Sequence, residues 1–318
     1  MRRGQINERR NGLARAVRGI ERSSKERTIE ALLFLCAALS VFVTGAIIFT
    51  LTIDAVDFFT QISPTNFFLG SEWTPAIEPL SFGVLPLVSG TVLVTVLSAL
   101  IALPTGVGAA IYLAEYASDQ VRSVIKPALE ILAGIPTVVY GYFALVYITP
   151  ALGALGLPVS TFNVLSASIM VGVMIIPMVS SLSEDAMSAV PDELREAGYG
   201  LGATKFDVST GIVVPAAISG IFSSFILALS RAIGETMIVT VAMGQRPRMF
   251  DFASFPEILF SSGQTMTAAM VQLGTSDVSG GTAAYKSLFA IGLTLFAITF
   301  AMNLVANWVA ARYQEEYQ

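Results

Sequence analysis

The sequence predicts an all-α protein that crosses a membrane six times, on three observations. Hydrophobic residues make up 54% of the 318 and charged residues only 13%, about half the roughly 25% of a soluble chain. Mean hydropathy is positive. Six apolar stretches, at residues 29–53, 84–112, 128–149, 165–182, 212–242 and 288–310, are each long enough to span a hydrocarbon core of about 30 Å.

Taken in order, the chain opens on a basic tail, residues 1–28. It holds Arg2, Arg3, Arg9, Arg10, Arg15, Arg18, Arg22, Lys25 and Arg27, nine of the 18 basic residues, against three acids. The positive-inside rule keeps such a tail cytoplasmic. The first apolar run is longer than a signal-peptide core and no small-x-small cleavage site closes it. The following loop, 54–83, carries Asp54, Asp57, Glu72 and Glu78 and no base, and is expected outside. Arg122 and Lys126 mark the next loop as internal, and the uncharged stretch 151–164 is external. The polar loop 184–211 and the C-terminal tail, 313–318, return inside. The loop 245–286 falls outside although it contains Arg246 and Arg248, an exception to the charge rule. Pro104, Pro136, Pro177 and Gly234 interrupt spans, where neighbouring helices satisfy any freed backbone groups. Ser89-Gly90 and Gly106-x-Gly108 resemble small-residue packing faces.

Composition also excludes chemistry. There is no histidine, which removes histidine-based metal sites and catalytic triads. The single cysteine, Cys36, lies in the first apolar run, forms no intrachain disulfide and is expected to be a buried thiol. No G-x-x-x-x-G-K-[ST] phosphate loop occurs, so the chain has no evident means of holding ATP. No cofactor is expected and no catalytic residue is assigned.

Arg231 and Glu235 stand inside the fifth apolar run. Each charge costs about 2.5–3.5 kcal/mol at the centre of a bilayer helix, so residues of this kind line substrate paths or pair with each other. On a continuous helix they share a face with Gly220, Ser224 and Ala228. One reading places Arg231, Glu235 and Ser224 on a substrate path; the other is a static ion pair tying helices together. Glu130 is expected to cap an interface or form an ion pair.

The loop between the fourth and fifth spans is too long for a simple turn. Pro191, Asp192 and Glu193 start a short helix, and Gly198, Gly200 and Gly202 end it. Gly202 is expected to permit a tight turn that a side chain would block. Its spacing is Glu196-Ala197-Gly198, three residues, Gly202, nine residues, then Ile212-Val213-Val214-Pro215. This resembles the EAA loop of ABC-importer permeases, Glu-Ala-Ala, x3, Gly, x9, Ile-x-Leu-Pro. Gly198 and Val214 replace an Ala and a Leu of the family pattern.

Further fragments narrow the resemblance. Arg231-Ala232-Ile233-Gly234-Glu235 is similar to the R-A-[IL]-G-E signature of oxyanion permeases, and the continuation Thr236-Met237 resembles PstC-type phosphate permeases. The segments 68–75, 82–86 and 132–141 resemble the same family, and together the matches run over roughly residues 30–312. The resemblance implies a type I ABC-importer permease fold with a permease core at 84–312. Its coupling loop, 184–215, would dock an ATPase through Glu196, Ala197, Gly198, Gly202, Ile212 and Pro215. It also implies a non-enzymatic subunit of a bacterial-type cytoplasmic membrane, with both termini inside. Its partners would be a homologous PstA-type permease, two ATPase subunits and an external phosphate-binding protein, within the lipid bilayer and without nucleic acid. The rival substrates are sulfate, molybdate and tungstate. Rivals of another class are an ion-driven secondary transporter and an intramembrane enzyme.

Overall fold

A computed structural model describes residues 24–251 and 253–312. Most of the predicted basic tail and the whole of the C-terminal tail lie outside the described residues. Two compact units are present, Met1–Ile53 and Asp54–Gln318.

The first unit is the larger part of helix α1, Ser24–Gln61. It is apolar on all sides, with Leu33, Phe34, Val41 and Phe42 exposed, as suits a helix surrounded by lipid. The hydroxyls of Thr44, Thr50 and Thr52 donate to the carbonyls of Ser40, Ala46 and Ile48, which removes their polarity from an apolar medium. Cys36 is exposed rather than buried, because no side of this stretch forms a core.

The second unit begins with the last turns of α1. The predicted external loop 54–83 is largely ordered structure. It contains helix α2, Pro64–Leu69, and a minimal hairpin of β1, Trp73–Thr74, and β2, Ser81–Phe82, with Trp73 opposite Phe82. Phe58, Phe67, Phe82 and Trp73 meet edge to face with ring centroids 5.5–6.2 Å apart, the geometry aromatic quadrupoles favour. They form one apolar cluster with Leu87, Met266, Leu273 and Ile291.

Helix α3, Leu85–Ile111, continues through a wider turn over Tyr112–Tyr116, closed by Ala117 N–H donating to Tyr112 O at 2.8 Å. Helix α4 is Asp119–Gly134 and α5 is Thr137–Ala154. Helix α6 is Val164–Ser188, and the short α7 is Asp192–Gly200. Helices α8, Lys205–Ala216, and α9, Ile218–Ile233, meet at a bend of 68°. Helix α10, Met237–Ala242, α11, Phe255–Phe260, and α12, Met266–Thr275, precede the last helix, α13, Ala283–Arg312. Among the described residues five helices have span length and apolarity, and the bent α8–α9 pair makes a sixth.

Two predicted spans need correction. The third, 128–149, is two helices. Ile135 precedes Pro136 and takes an extended ψ of 129°, since a following proline ring disfavours the helical region; the helix of span length is α5. The fifth, 212–242, is broken twice. Pro215 has no amide hydrogen to continue the ladder and Ala217 leaves helical geometry at φ −88°, ψ 2°. The second break falls at Gly234, after which Glu235 and Thr236 lie outside any helix. The predicted external loop 245–286 also folds inward. Met266, Ala268, Ala269 and Leu273 of α12 are buried, and Met266 N–H donates to Thr91 Oγ1 of α3 at 3.0 Å.

The centre of the unit is the α3–α6 pair. Ser98 Oγ donates to Ser168 O at 3.0 Å, and further along a Cβ on Gly106 would stand 2.7 Å from Val179. The two helices therefore run in the same direction, as spans two and four of an alternating chain must. Gly220 of α9 abuts Ala186 and Ser224 Oγ lies 2.9 Å from Ser183 Oγ, so α9 runs against α6, as span five must. Asn163 caps α6, accepting from Ser166 N–H at 2.7 Å and donating to Thr149 Oγ1 of α5 at 3.1 Å. Small residues permit these approaches.

Gly90 separates close contact from helix propensity. A Cβ there would overlap the backbone carbonyl of Gln264, whereas one on Gly108 of the same helix meets nothing within 4 Å. Gly90→Ala is expected to destabilise the protein by about 1–3 kcal/mol, and Gly108→Ala to be neutral or stabilising by up to about 1 kcal/mol. Thermal unfolding of the two variants in the same detergent checks this, with equal midpoints contradicting it.

Candidate functional site

The two breaks in the fifth apolar run decide where its charged residues go. α9 ends at Ile233, so Arg231 lies in its last turn and Glu235 beyond it. The predicted shared face and the ion pair across it do not form. Glu235 turns inward, is nearly buried, and accepts from Ile238 N–H at 3.0 Å, closing the first turn of α10. Its carbonyl accepts from Thr267 Oγ1 of α12 at 2.7 Å. Arg231 turns the other way and is exposed, with no hydrogen bond or ion pair among the described residues. Ser224 is buried in the α6–α9 seam, where its hydroxyl donates to Ile221 O at 2.7 Å. The small-residue stripe Gly220–Ser224–Ala228 is thus packing surface, and Arg231 alone of the predicted set faces open space.

That space is a cavity of about 330 Å³ lined by Leu113, Lys126, Glu130, Met174, Pro177, Glu184 and Arg231. Glu130 lies on its wall and, contrary to expectation, forms no ion pair among the described residues. Glu184 of α6 has no exposed surface. Arg122 Nη2 meets its Oε1 and also donates to Ser188 Oγ at 3.1 Å. Lys126 Nζ stands 2.6 Å from Oε2, an ion-pair contact without hydrogen-bond angles. Arg122 and Lys126 are four residues apart on α4, so both reach the same carboxylate. A carboxylate with no exposed surface is tolerable only when compensated this closely.

A second charged joint holds the loop 184–215. Arg195 of α7 donates to Met187 O at 2.7 Å and Val190 O at 2.5 Å, filling carbonyls that the end of α6 leaves open. Its Nε donates to Glu115 Oε1 at 3.2 Å, at the end of α3. Beneath it, Ala110, Met187, Val190, Val208, Val213 and Ile221 make an apolar cluster. Gly198 is buried against this layer, and a Cβ there would press within 3 Å of Ile212 Cδ1 and Val208 Cγ2. Glycine rather than alanine therefore fits this position. Gly202 adopts φ +85° with nothing within 4 Å of a Cβ position, so its need is conformational and not, as expected, steric. Thr204 and Asp207 form a reciprocal cap at the start of α8. Glu196, Ala197 and Pro215 are exposed and Ile212 is half-buried. The outer face carries Leu201, 91% exposed, Phe206 and Tyr199.

Sequence reasoning placed Arg231 and the loop but not Arg122, Lys126, Glu184, Glu115 or Arg195. The basic pair at i, i+4 on a helix with one apolar side was the available signal for the first two.

With this geometry in place, the comparisons define the class. The family described as "Binding-protein-dependent transport system inner membrane component" matches residues 102–315. A bacterial alginate ABC transporter chain superposes with a TM-score of 0.63 at 15% identity, covering 93% of this chain and all of that one. A chain of the MetNI methionine ABC transporter gives 0.51 at 16% identity over 73% and 95%. The chain belongs to the binding-protein-dependent inner membrane component family and has the type I ABC-importer permease fold. It is 34% identical over 266 residues to the phosphate transport system permease protein PstC of Mesorhizobium japonicum, covering 78% of each chain. It is 32% identical to the probable ABC transporter permease protein YqgH of Bacillus subtilis, over 87% of this chain and 88% of that one. It is thus a multi-pass membrane permease subunit and not an ATPase itself. Family membership brings a second permease, ATPase subunits and a substrate-binding protein as partners.

The Glu184 joint predicts an asymmetry. Arg122→Ala with Lys126→Ala leaves a buried carboxylate uncompensated and is expected to cost roughly 3–5 kcal/mol. Adding Glu184→Gln should recover most of that loss. Thermal unfolding of the double and triple variants measures it; a triple variant no more stable than the double contradicts the assignment.

Proposed function

We propose that this chain is a phosphate-translocating subunit of an ATP-driven importer. A PstA-type permease would complete the path, two ATPase subunits would bind the loop 184–215, and an external phosphate-binding protein would deliver the anion. Both termini and that loop lie on the cytoplasmic side in this reading, as the basic N-terminal tail requires. The observation that carries the proposal is Arg231, a guanidinium on the wall of a cavity, with no hydrogen bond or ion pair among the described residues. A guanidinium presents a planar fork of donors matched to phosphate oxygens, and the PstC of Mesorhizobium japonicum is 34% identical to this chain over 266 residues. Glu235 and Ser224 serve the path by fixing α10 and the α6–α9 seam rather than by touching the anion. Arg231→Gln is expected to lower phosphate uptake by at least about tenfold while the complex still assembles, with Arg231→Lys rescuing poorly because it lacks the fork. Uptake of inorganic phosphate into proteoliposomes containing the purified complex, beside the yield of complex, tests this. Normal uptake by Arg231→Gln, or preference of the wild type for sulfate, would overturn the reading.

The ATPase-docking role rests on the outward Leu201 and Phe206, apolar side chains fixed on a braced loop. Glu196, Ala197, Gly198, Gly202, Ile212 and Pro215 shape that loop through the turn and the packing described above. Leu201→Asp puts a charge on the exposed knob without touching the core. It should lower transport-stimulated ATP hydrolysis at least about tenfold, a cost of roughly 1.4 kcal/mol or more in coupling, and leave unfolding temperature unchanged. Unaltered stimulation would remove the loop from the interface.

A further inference from the structure

We propose that the chain carries an outer binding site for a tetrahedral oxyanion, separate from Arg231, in the cavity between α10 and the loop following it. This deepens the phosphate reading and rests on it. The cavity has a volume of about 690 Å³, and Ser160, Thr161, Ser261, Ser262, Arg246 and Arg248 supply its polar wall. No carboxylate lines it. The same two arginines are the ones whose external position runs against the charge rule for loops.

The wall is built rather than incidental. Ser160 N–H donates to Phe260 O at 2.7 Å, Val164 N–H to Ser261 O at 3.1 Å, Asn163 N–H to Ala242 O at 3.1 Å and Gly263 N–H to Met243 O at 3.1 Å. Three separate chain segments are thereby laced into one floor. Gly244 turns at φ +91°, and a Cβ there would overlap Ser262 Oγ and stand 3.0 Å from Phe162 Cβ. Only glycine gives this turn and this proximity together.

The donors are available. Arg246 is exposed and makes no hydrogen bond or ion pair among the described residues. Arg248 makes only long contacts, 3.4 Å to Glu257 Oε1 and 3.3 Å to Ser261 Oγ, which a phosphate oxygen would readily displace. Guanidinium forks and hydroxyls are the donors a phosphate or sulfate dianion takes up when it leaves water. A cleft lined by two arginines concentrates anions at its mouth, with Glu257, 3.4 Å from Arg248 Nη1, as the acid an anion would displace. Thr240 lines the cavity as well and belongs to α10, whose first turn Glu235 closes. One short helix thus connects the outer cavity to the segment that bears Arg231.

The test uses the assembled transporter in detergent, without binding protein, and inorganic phosphate as the probe, followed by line broadening of its phosphorus resonance. Arg246→Gln removes no hydrogen bond or ion pair among the described residues; Arg246→Gln with Arg248→Gln is the stronger variant. Wild type and Arg231→Gln should both broaden the phosphate line. The double variant should lose at least about 80% of the broadening, and Arg246→Gln alone about half, as expected when one of two charge-assisted partners is removed. In proteoliposomes with saturating phosphate-loaded binding protein, the double variant should fall about tenfold in maximal uptake. Unchanged broadening in the double variant overturns the site. So does a pure rise in the binding-protein concentration needed for half-maximal uptake, which would assign the arginines to docking that protein. If sulfate abolishes the phosphate broadening by competition and the wild type transports sulfate in place of phosphate, the phosphate reading fails while the oxyanion site stands.

Discussion

A single carboxylate without exposed surface, Glu184 near the C-terminal end of α6, conditions the arrangement around it. Leaving it uncompensated would cost several kcal/mol, so α4 is required to bring Arg122 and Lys126 against it. The same carboxylate also forms part of the wall of the inner cavity that receives Arg231. Charge balance thus sets helix direction, and helix direction sets where the cavity opens. A few residues further on, Arg195 repeats the strategy, tying the loop 184–215 to the carbonyls of Met187 and Val190 and to Glu115.

How much of this was legible in the sequence depends on the range over which each feature is determined. Spans two and four read correctly because their apolar runs are unbroken and their ends are local. The short helix within the loop 184–215 read correctly because its start and stop signals are local, and the turn at Gly202 follows from a backbone preference. The breaks at Pro136, Ala217 and Gly234 were visible as residues but not as breaks, since membrane helices also carry proline and glycine without interruption. What decides the matter is whether neighbours take up the freed backbone groups. Thr267 does so for Glu235 from 32 positions away. The Arg122–Glu184 pair lies 62 positions apart, beyond any periodicity argument. Cys36 was misplaced because an apolar run says that a thiol is in an apolar setting, not that protein rather than lipid provides it.

The second break has the larger effect on the two charged residues. On an unbroken helix Arg231 and Glu235 would neutralise each other, and a paired guanidinium has little left to offer an anion. Ending α9 at Ile233 sends the carboxylate inward to start α10 and leaves the cation facing the cavity. Glu235 is then held in the first turn of α10 and Arg231 faces the cavity, although both belong to one five-residue signature.

The bend between α8 and α9 has a mechanical consequence. α8 contains the 12 residues from Lys205 to Ala216, a rod of about 18 Å at 1.5 Å per residue. Pivoting on Ala217, such a rod turns by roughly 10° when its free end shifts by about 3 Å, a small domain displacement by the standards of hinge motions. The fulcrum is a single residue outside helical geometry, flanked by hydrogen bonds from Ala217 N–H to Val213 O at 2.9 Å and from Ile221 N–H to Ala217 O at 3.0 Å. The lever arm of any such pivot is the length of α8, from Lys205 to Ala216.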